Sequence, residues 1–244
     1  MIEELQRETR KLRNTERAKN LQRFFKTGKG EYGEGDKFYG LTVPVCHQLT
    51  KKYKDLTLLE VQKLIKSKVH EERLIALLIL VYQYQKGDIN TKENIFKFYL
   101  KNTKHINNWD LVDLSAHKIV GDYLFLQGRN LKEKISEVPT LLTHLVKSKN
   151  LWERRIATIS TFAFIDKGLS RETLQIAEIL VNDPYDLIHK AVGWALREVG
   201  KRVSIKDEIK FLDIHASTMP RTALRYAIER FEPNLRKQYL TKKK

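Results

Sequence analysis

An aspartate and a tryptophan share one face of a predicted helix in the segment NNWDLVDLSAHKIVGDYL, residues 107–124. Asp113 follows Trp109 by one helical turn, so its carboxylate lies beside the indole and borders the apolar stripe of the helix. A carboxylate in such a place is usually either paired or functional. The residues leave two interpretations open: a group that acts on a substrate, or an ion pair with a basic residue of a neighbouring helix.

The neighbouring carboxylate, Asp110, has a structural explanation. Asn107 or Asn108 fits the N-cap of the helix, because a short polar side chain there accepts a backbone N–H. Asp110 then lies in the first turn, where the positive end of the helix dipole stabilises a negative charge. We therefore assign Asp110 to the start of the helix and not to chemistry.

The three tryptophans recur at nearly equal intervals, at Trp109, Trp152 and Trp194. Core packing is the default explanation for a tryptophan, and Trp152 fits it because it lies on the apolar stripe of its own segment. Trp194 lies beside its stripe and not on it. Trp109 and Trp194 are therefore the two candidates for contact with a ligand.

The chain is strongly basic, with a net charge of +16 and a pI near 9.7. Such a charge attracts polyanions, nucleic acid foremost, although a solvated basic surface without a partner is the alternative. Basic residues recur in the helical segments, several of them at comparable early positions, where they could contact a DNA backbone without reading bases. These candidates are Arg154, Arg155, Lys190, Arg197 and Arg221. One of the first two could instead pair with Asp113.

Motifs for metals, nucleotides and nucleophiles are incomplete. His70-Glu71-Glu72 begins like a zinc-protease helix, but position 74 is leucine and supplies no second ligand. The histidines are scattered, the glycines match neither a P-loop nor a dinucleotide fingerprint, and the single cysteine, Cys46, excludes an internal disulfide. We expect no metal and no cofactor. If the protein is an enzyme, its chemistry depends on a carboxylate and aromatic side chains.

The elements that position these residues are predicted to be helices throughout. Apolar residues recur at helical spacing in most segments, and sustained alternation typical of strands is absent. Five of the 11 glycines lie in residues 27–40, which form the one clear loop. No apolar run reaches ~18 residues, and the start of the chain lacks a signal peptide, so we expect a cytoplasmic protein without membrane contact.

Similar helical segments begin near residues 70, 107, 150, 185 and 218, and a shorter helix precedes most of them. A two-helix unit repeated every 33–47 residues or so is typical of HEAT or armadillo solenoids. The sequence therefore predicts an all-α protein: a right-handed solenoid of HEAT-like two-helix repeats with a concave basic groove. We expect one domain, residues 1–244, with the Gly-rich loop inside it.

The sequence resembles the AlkD-like DNA alkylation repair glycosylases, which consist of HEAT-like repeats. The similarity extends over nearly the whole chain. It depends on the segments GEGDKFYGLTVP (33–44), NNWDLVDLSAHKIVGDYL (107–124), NLWERRIATISTFAF (150–164) and HKAVGWALREVGKR (189–202).

The resemblance implies a monofunctional glycosylase that hydrolyses the N-glycosidic bond of cationic N3- and N7-alkylpurines in double-stranded DNA. In that family a Trp–Asp–Trp cluster approaches the deoxyribose without base flipping, and the matching residues here are Trp109, Asp113 and Trp194. The matching arginine is Arg155, and the family's aromatic residue in the first helix falls at Phe24 or Phe25. We expect a monomer, since a solenoid that binds DNA in its groove needs no second subunit.

Two other functions remain open from the sequence. The chain could be a non-catalytic HEAT-like protein that binds branched or distorted DNA through the same groove. It could also be a HEAT scaffold for an acidic protein. The joint presence of Trp109, Asp113, Arg155 and Trp194 favours the enzyme, since we would expect a pure binder to have lost at least one of them.

Overall fold

The computed structural model of the protein describes residues 1–130 and 139–242, and these form sixteen α-helices. They divide into two compact units, Met1–Ser115 and Ala116–Lys244. Within the described ranges there is no strand, only an isolated bridge between Lys37 and Val69. The prediction of an all-α protein is confirmed. In the same ranges, no helix is both long and apolar enough to cross a bilayer.

The first unit contains seven α-helices, the last of which ends one residue beyond it. They are α1 (Ile2–Lys11), α2 (Thr15–Phe24), α3 (Val43–Lys52), α4 (Leu58–Ile65), α5 (His70–Lys86), α6 (Ile89–Lys101) and α7 (Trp109–Ala116). The 17-residue α5 is the central element, since α3, α4 and α6 all pack against it. Its middle turns are buried on every side, so its role is that of a core helix.

The second unit begins with a π-helical segment, His117–Gly121. Nine α-helices follow: α8 (Asp122–Asn130), α9 (Thr140–Leu145), α10 (Leu151–Ser160), α11 (Phe162–Ile165), α12 (Arg171–Leu180), α13 (Asp186–Arg202), α14 (Ile205–His215), α15 (Arg221–Ala227) and α16 (Pro233–Thr241). The central element is α13, against which α10, α11, α12, α14 and α15 pack.

The predicted helix pairs are present. The helices that match the five predicted repeats begin at His70, Trp109, Leu151, Asp186 and Arg221. A helix precedes each of them. It is shorter before α5, α10 and α13, where α4, α9 and α12 pack on the helix that follows, whereas α6 and α14 are longer than α7 and α15. Helical periodicity located these elements to within three residues of their first residues, because apolar residues recur at helical spacing in each of them.

Two helices, not one, precede the Gly-rich loop. The chain leaves α1 at Leu12, and the side chain of Asn14 caps α2 by accepting the backbone N–H of Arg17 at 2.8 Å. The aromatic residue that the family resemblance places in the first helix therefore ends the second one. Phe24 is its last residue, and Phe25 follows directly.

Glycines allow close helix contacts in the second unit. A Cβ atom at Gly121 would lie 2.1 Å from the carbonyl oxygen of Ser160 on α10. One at Gly193 would lie 2.3 Å from the carbonyl oxygen of Ala223 on α15. Both distances are far below van der Waals contact, so the backbones can meet there only because a side chain is absent.

One carboxyl group is buried in the second unit without adequate hydrogen bonding. The side chain of Glu208 on α14 lies over Gly200, is 2 % exposed, and its Oε1 has no hydrogen-bond partner. Burial raises the pKa of Glu208 to about 8, although the charge of Arg197 acts in the opposite direction. The ionised form is therefore destabilised in the folded state.

We expect Glu208→Gln to raise stability at alkaline pH. The pKa of Glu208 is raised on folding, so wild-type stability falls as pH rises from the unfolded value, near 4.5, through about 8. Above pH 8 the variant should be more stable by about 1–3 kcal/mol, or roughly 2–12 °C in Tm. Thermal denaturation at pH 4.5 and pH 8.5 measures this. An equal change in Tm at both pH values would contradict it.

Candidate active site

Four consecutive charged or titratable residues are buried at the start of α5. His70, Glu71, Glu72 and Arg73 are each 2–3 % exposed. A buried charge is tolerated only with partners that restore its lost hydration. Their partners accordingly lie in several other parts of the first unit, and this turn determines where those parts lie.

The Glu71 carboxylate holds the end of the Gly-rich loop. Its oxygens accept the backbone N–H groups of Tyr39, Gly40 and Leu41, the shortest at 2.7 Å from Gly40. Gly40 has a φ of +81°, and a Cβ there would lie 2.3 Å from the Asn14 carbonyl oxygen. The loop is therefore packed against the helices in a single conformation that requires glycine.

His70 connects this loop to the helix that carries Trp109. Its Nε2 lies 2.8 Å from Asp110 Oδ2, and its Nδ1 lies 3.3 Å from Asp36 Oδ2. Arg73 donates to the same Asp36 oxygen at 2.7 Å. The sequence assigned Asp110 only to the start of the helix. In the structure Asp110 also connects α7 to α5 through the buried His70 imidazole.

The charged forms of His70 and Asp36 favour each other. Burial acts to lower the pKa of His70, but the charge and hydrogen bond of Asp110, with the hydrogen bond of Asp36, outweigh it and raise the pKa. Burial acts to raise the pKa of Asp36, but the His70 hydrogen bond and the Arg73 charge lower it. The cationic imidazole and the anionic carboxylates therefore stabilise one another.

Trp109 stands at the end of a column of aromatic rings. Its indole is stacked on Phe25 with ring centroids 5.3 Å apart, and Phe25 is stacked on Phe38 at 5.2 Å. Phe38 in turn stacks on the His70 imidazole at 4.6 Å. Phe24, which is 60 % exposed, contacts the Trp109 indole edge-on at 5.9 Å. The column fixes the orientation of Trp109, whose side chain is half-buried.

Asp113 lies one turn after Trp109 on α7 and is half-buried. The helix is anchored there by Tyr99, whose fully buried hydroxyl lies 2.9 Å from the Ser115 hydroxyl. Burial raises the pKa of Tyr99, and the nearby charge of Asp113 raises it further. Trp109 and Asp113 therefore lie on a firmly packed helix, whereas α2, which ends at Phe24 in the same unit, has no buried residue.

In the second unit the structure describes Trp194 and Arg155 on neighbouring helices. Trp194 on α13 is half-buried, with its ring 4.7 Å from that of Phe162. Arg155 on α10 is 5 % exposed and donates to the carbonyl oxygen of Leu187 at the start of α13. Trp152 is buried, which confirms its assignment to the core.

Arg154 has partners inside the second unit. Its guanidinium donates to the Asp183 carboxylate at 2.6 Å and to the Ser148 carbonyl at 2.8 Å, and it lies over the Tyr185 ring. The pairing with Asp113 that the sequence left open for this arginine is replaced by Asp183. A DNA contact by Arg154 would have to break these interactions.

The other predicted cations are more accessible. Lys190 is paired with Asp186 one turn earlier on α13, with its side chain 40 % exposed. Arg197 pairs with Glu229 and Glu198. Arg221 is exposed at the start of α15 and donates to the Leu240 carbonyl at 2.6 Å.

The chemistry available to the first-unit residues is electrostatic. A carboxylate and an indole face, one turn apart, can stabilise positive charge on a bound molecule. In the described part of the chain, no group of three His, Cys, Asp or Glu side chains could hold a metal ion.

Comparison with known proteins identifies the family. A family model described as "DNA alkylation repair enzyme" matches residues 5–231, nearly the whole chain. The chain belongs to the DNA alkylation repair enzyme family. No curated protein matches the sequence.

Solved structures show the same fold as this DNA alkylation repair enzyme family member. One is described as a predicted DNA alkylation repair enzyme from Enterococcus faecalis: TM-score 0.67, 17% identity, covering 91% of this chain and 97% of that one. Another is AlkD2 from Streptococcus mutans: TM-score 0.53, 18% identity, covering 88% of this chain and 97% of that one. At these identities the likeness establishes the fold.

The residues that hold Trp109 in place were not predicted from the sequence of this family member. Asp36, Phe38 and His70 gave no motif, because they contact one another only after the Gly-rich loop has folded onto α5. A signal was nevertheless present: four polar residues, HEER, begin a helix that is otherwise apolar. Such a run at the start of a core helix predicts buried charges with partners elsewhere in the chain.

We expect Asp110→Asn to lower the pKa of His70, because the variant loses both the charge and the strongest hydrogen bond that favour the imidazolium. Since the His70 pKa is raised on folding, its contribution to stability is complete below the unfolded value, near 6.5, and is lost as pH rises through the folded value. The variant should lose about 1.5–3 kcal/mol at pH 6 and less at pH 9.

An NMR titration of the His70 imidazole, with unfolding curves at both pH values, measures these effects. The exposed Asp55→Asn is the control and should change neither. A His70 titration curve identical in wild type and Asp110→Asn would contradict the assignment.

Proposed function

We propose that this protein is a monofunctional DNA glycosylase that hydrolyses the N-glycosidic bond of cationic N3- and N7-alkylpurines in duplex DNA, without base flipping. The observation that carries the proposal is the placement of Trp109 and Asp113, one turn apart on a helix that the contact of Asp110 with buried His70 holds. Membership of a DNA alkylation repair enzyme family supplies the reaction context.

The proposed reaction needs little proton transfer to the leaving group. An alkylated purine is already cationic, so it departs as a neutral base when the C1′–N bond breaks and the electron pair goes to the base. Positive charge then develops on the deoxyribose. Water forms the new C1′–O bond and loses a proton, which leaves an abasic site and the free base.

The side chains would act on the charge of that transition state. The Asp113 carboxylate stabilises the oxocarbenium-like sugar and orients the attacking water. The indole faces of Trp109 and Trp194 each supply a cation–π interaction of about 0.5–2 kcal/mol. The stacked Phe25 keeps the Trp109 ring in a fixed orientation, so this stabilisation requires no reorganisation during the reaction.

DNA binding is proposed to be mainly electrostatic. The net charge of +16 attracts the duplex and speeds its encounter with the protein. Arg155 is proposed to contact the phosphate near the lesion, Phe24 the DNA beside Trp109, and Lys190, Arg197 and Arg221 the backbone. Arg154 is the weakest of the predicted contacts, because Asp183 already neutralises its guanidinium.

We expect Asp113→Asn to abolish most release of 7-methylguanine from methylated duplex DNA. The amide has nearly the same shape but no charge, so it removes transition-state stabilisation and should lower the single-turnover rate by about 10²–10³-fold. Affinity for the duplex should change by less than about threefold. Base release measured by chromatography, beside the Asp55→Asn control, tests this.

Parallel loss of rate and affinity in Asp113→Asn would make this carboxylate structural. No release by the wild-type protein, with salt-sensitive duplex binding retained, would overturn the glycosylase in favour of a protein that binds distorted DNA.

We expect Arg221→Ala to weaken binding to every duplex sequence by a similar factor. If this guanidinium contacts one phosphate, the slope of log K against log[salt] should become less steep by about 0.9. Arg230→Ala, which removes another exposed arginine of the second unit, is the matched control. Equal slopes in wild type and Arg221→Ala would remove Arg221 from the DNA interface.

A further inference from the structure

A basic cleft lies in the first unit, next to the buried cluster around His70. Its volume is about 320 Å³, near the lower limit of small-ligand sites. Its walls are the end of the Gly-rich loop, the connection between α4 and α5, and the residues before α7. Asp36, which contacts His70 and Arg73, forms part of the wall, so the cleft is connected to the element that holds Trp109.

The lining of the cleft carries an excess of positive charge. Five basic side chains line it against two acidic ones, Glu34 and Asp36. The basic residues are Lys37, Lys66, Lys68, Arg73 and Lys104. The four lysines are exposed, and none takes part in an ion pair with the residues that the structure describes. Since Asp36 is already paired with Arg73, the lysines give the cleft a net positive potential.

Two nitrogen atoms in the wall have unused hydrogen-bonding capacity. Arg73 Nε and His105 Nε2 are buried and have no hydrogen-bond partner among the described residues, and Arg73 as a whole is 3 % exposed. Such atoms in native proteins nearly always have a partner. Arg73 Nε is a donor, and His105 Nε2 is a donor in the tautomer that carries the proton there, so an anion with several acceptor oxygens supplies the partner that these donors lack.

His105 experiences the charges of the cleft directly. Burial lowers its pKa, and the charges of Lys104, Lys66 and Arg73 lower it further. Side chains from three separate segments of the chain thus act on one imidazole. This convergence distinguishes the cleft from a row of solvated surface lysines.

We propose that this cleft binds a phosphate group. A phosphate presents several oxygens in a tetrahedral arrangement, which matches a guanidinium N–H, an imidazole and flexible ammonium groups converging from different sides. The phosphate belongs either to the DNA backbone or to a free phosphate ester, and both present the same recognised group. The site uses none of the residues proposed to act on the glycosidic bond, and its binding chemistry does not depend on the glycosylase proposal.

The test compares two double variants with the same change in charge. K66A/K104A removes two lysines of the cleft. K63A/K101A, the control, removes two exposed lysines of α4 and α6 that do not line it. Because all four side chains are exposed, both proteins should retain the wild-type Tm. The readout is the NMR signal of the His105 imidazole, assigned with His105→Gln and followed during separate titrations with inorganic phosphate and with undamaged duplex DNA.

We expect the His105 signal to shift on addition of phosphate or duplex, and the pKa of His105 to rise as the anion offsets the neighbouring cations. K66A/K104A should weaken that binding by about tenfold or more, and K63A/K101A by less than about twofold. A shift with duplex identifies a backbone phosphate, and a shift with inorganic phosphate alone identifies a free ester. In the titration with duplex DNA, the slope of log K against log[salt] should be less steep for K66A/K104A than for the control, by about 0.9.

No shift in either titration, or equal losses in the two double variants, would overturn the phosphate site. Release of 7-methylguanine is measured independently, so failure of the glycosylase proposal and failure of this one give different results.

Discussion

The first unit depends on the partners that the buried polar side chains at the start of α5 find elsewhere in the chain. Glu71 binds the loop amides, His70 joins Asp36 to Asp110, and Arg73 completes the pairing of Asp36. A buried ion pair adds little net stability compared with apolar packing, but a wrong arrangement would leave a charge unpaired. The cluster therefore selects one arrangement of loop and helices, and it places the Trp109 column where α7 begins.

The same cluster connects the two sites proposed for this unit. Asp36 lies between the aromatic column and the basic cleft, and it shares its carboxylate between His70 and Arg73. A phosphate bound at Arg73 Nε would share that guanidinium with Asp36, which another nitrogen of Arg73 already contacts. Through Asp36 and His70, the wall of the cleft is thus joined to the start of α7.

The helical periodicity of the sequence was sufficient to predict the helices, but not the contacts that hold Trp109 in place. The repeats around α5, α10 and α13 were predictable because apolar residues recur at helical spacing in each of them. The same spacing identified Trp109 and Asp113 as neighbours on α7. The contacts of His70, Asp36 and Phe38 were not, since they join residues more than thirty positions apart through an irregular loop. Arg154 illustrates the same limit: its sequence position suggested a surface cation, whereas the fold provides Asp183 as a partner.

The long sequence separations within the α5 cluster also have a kinetic consequence. Helices form from local contacts and do so quickly, whereas the loop that contains Asp36 must be closed over some thirty residues before its charges find their partners. We expect the docking of this loop to be a late event in the folding of the first unit. Until then the HEER side chains remain hydrated, and the helices around them can form without a fixed orientation for Trp109.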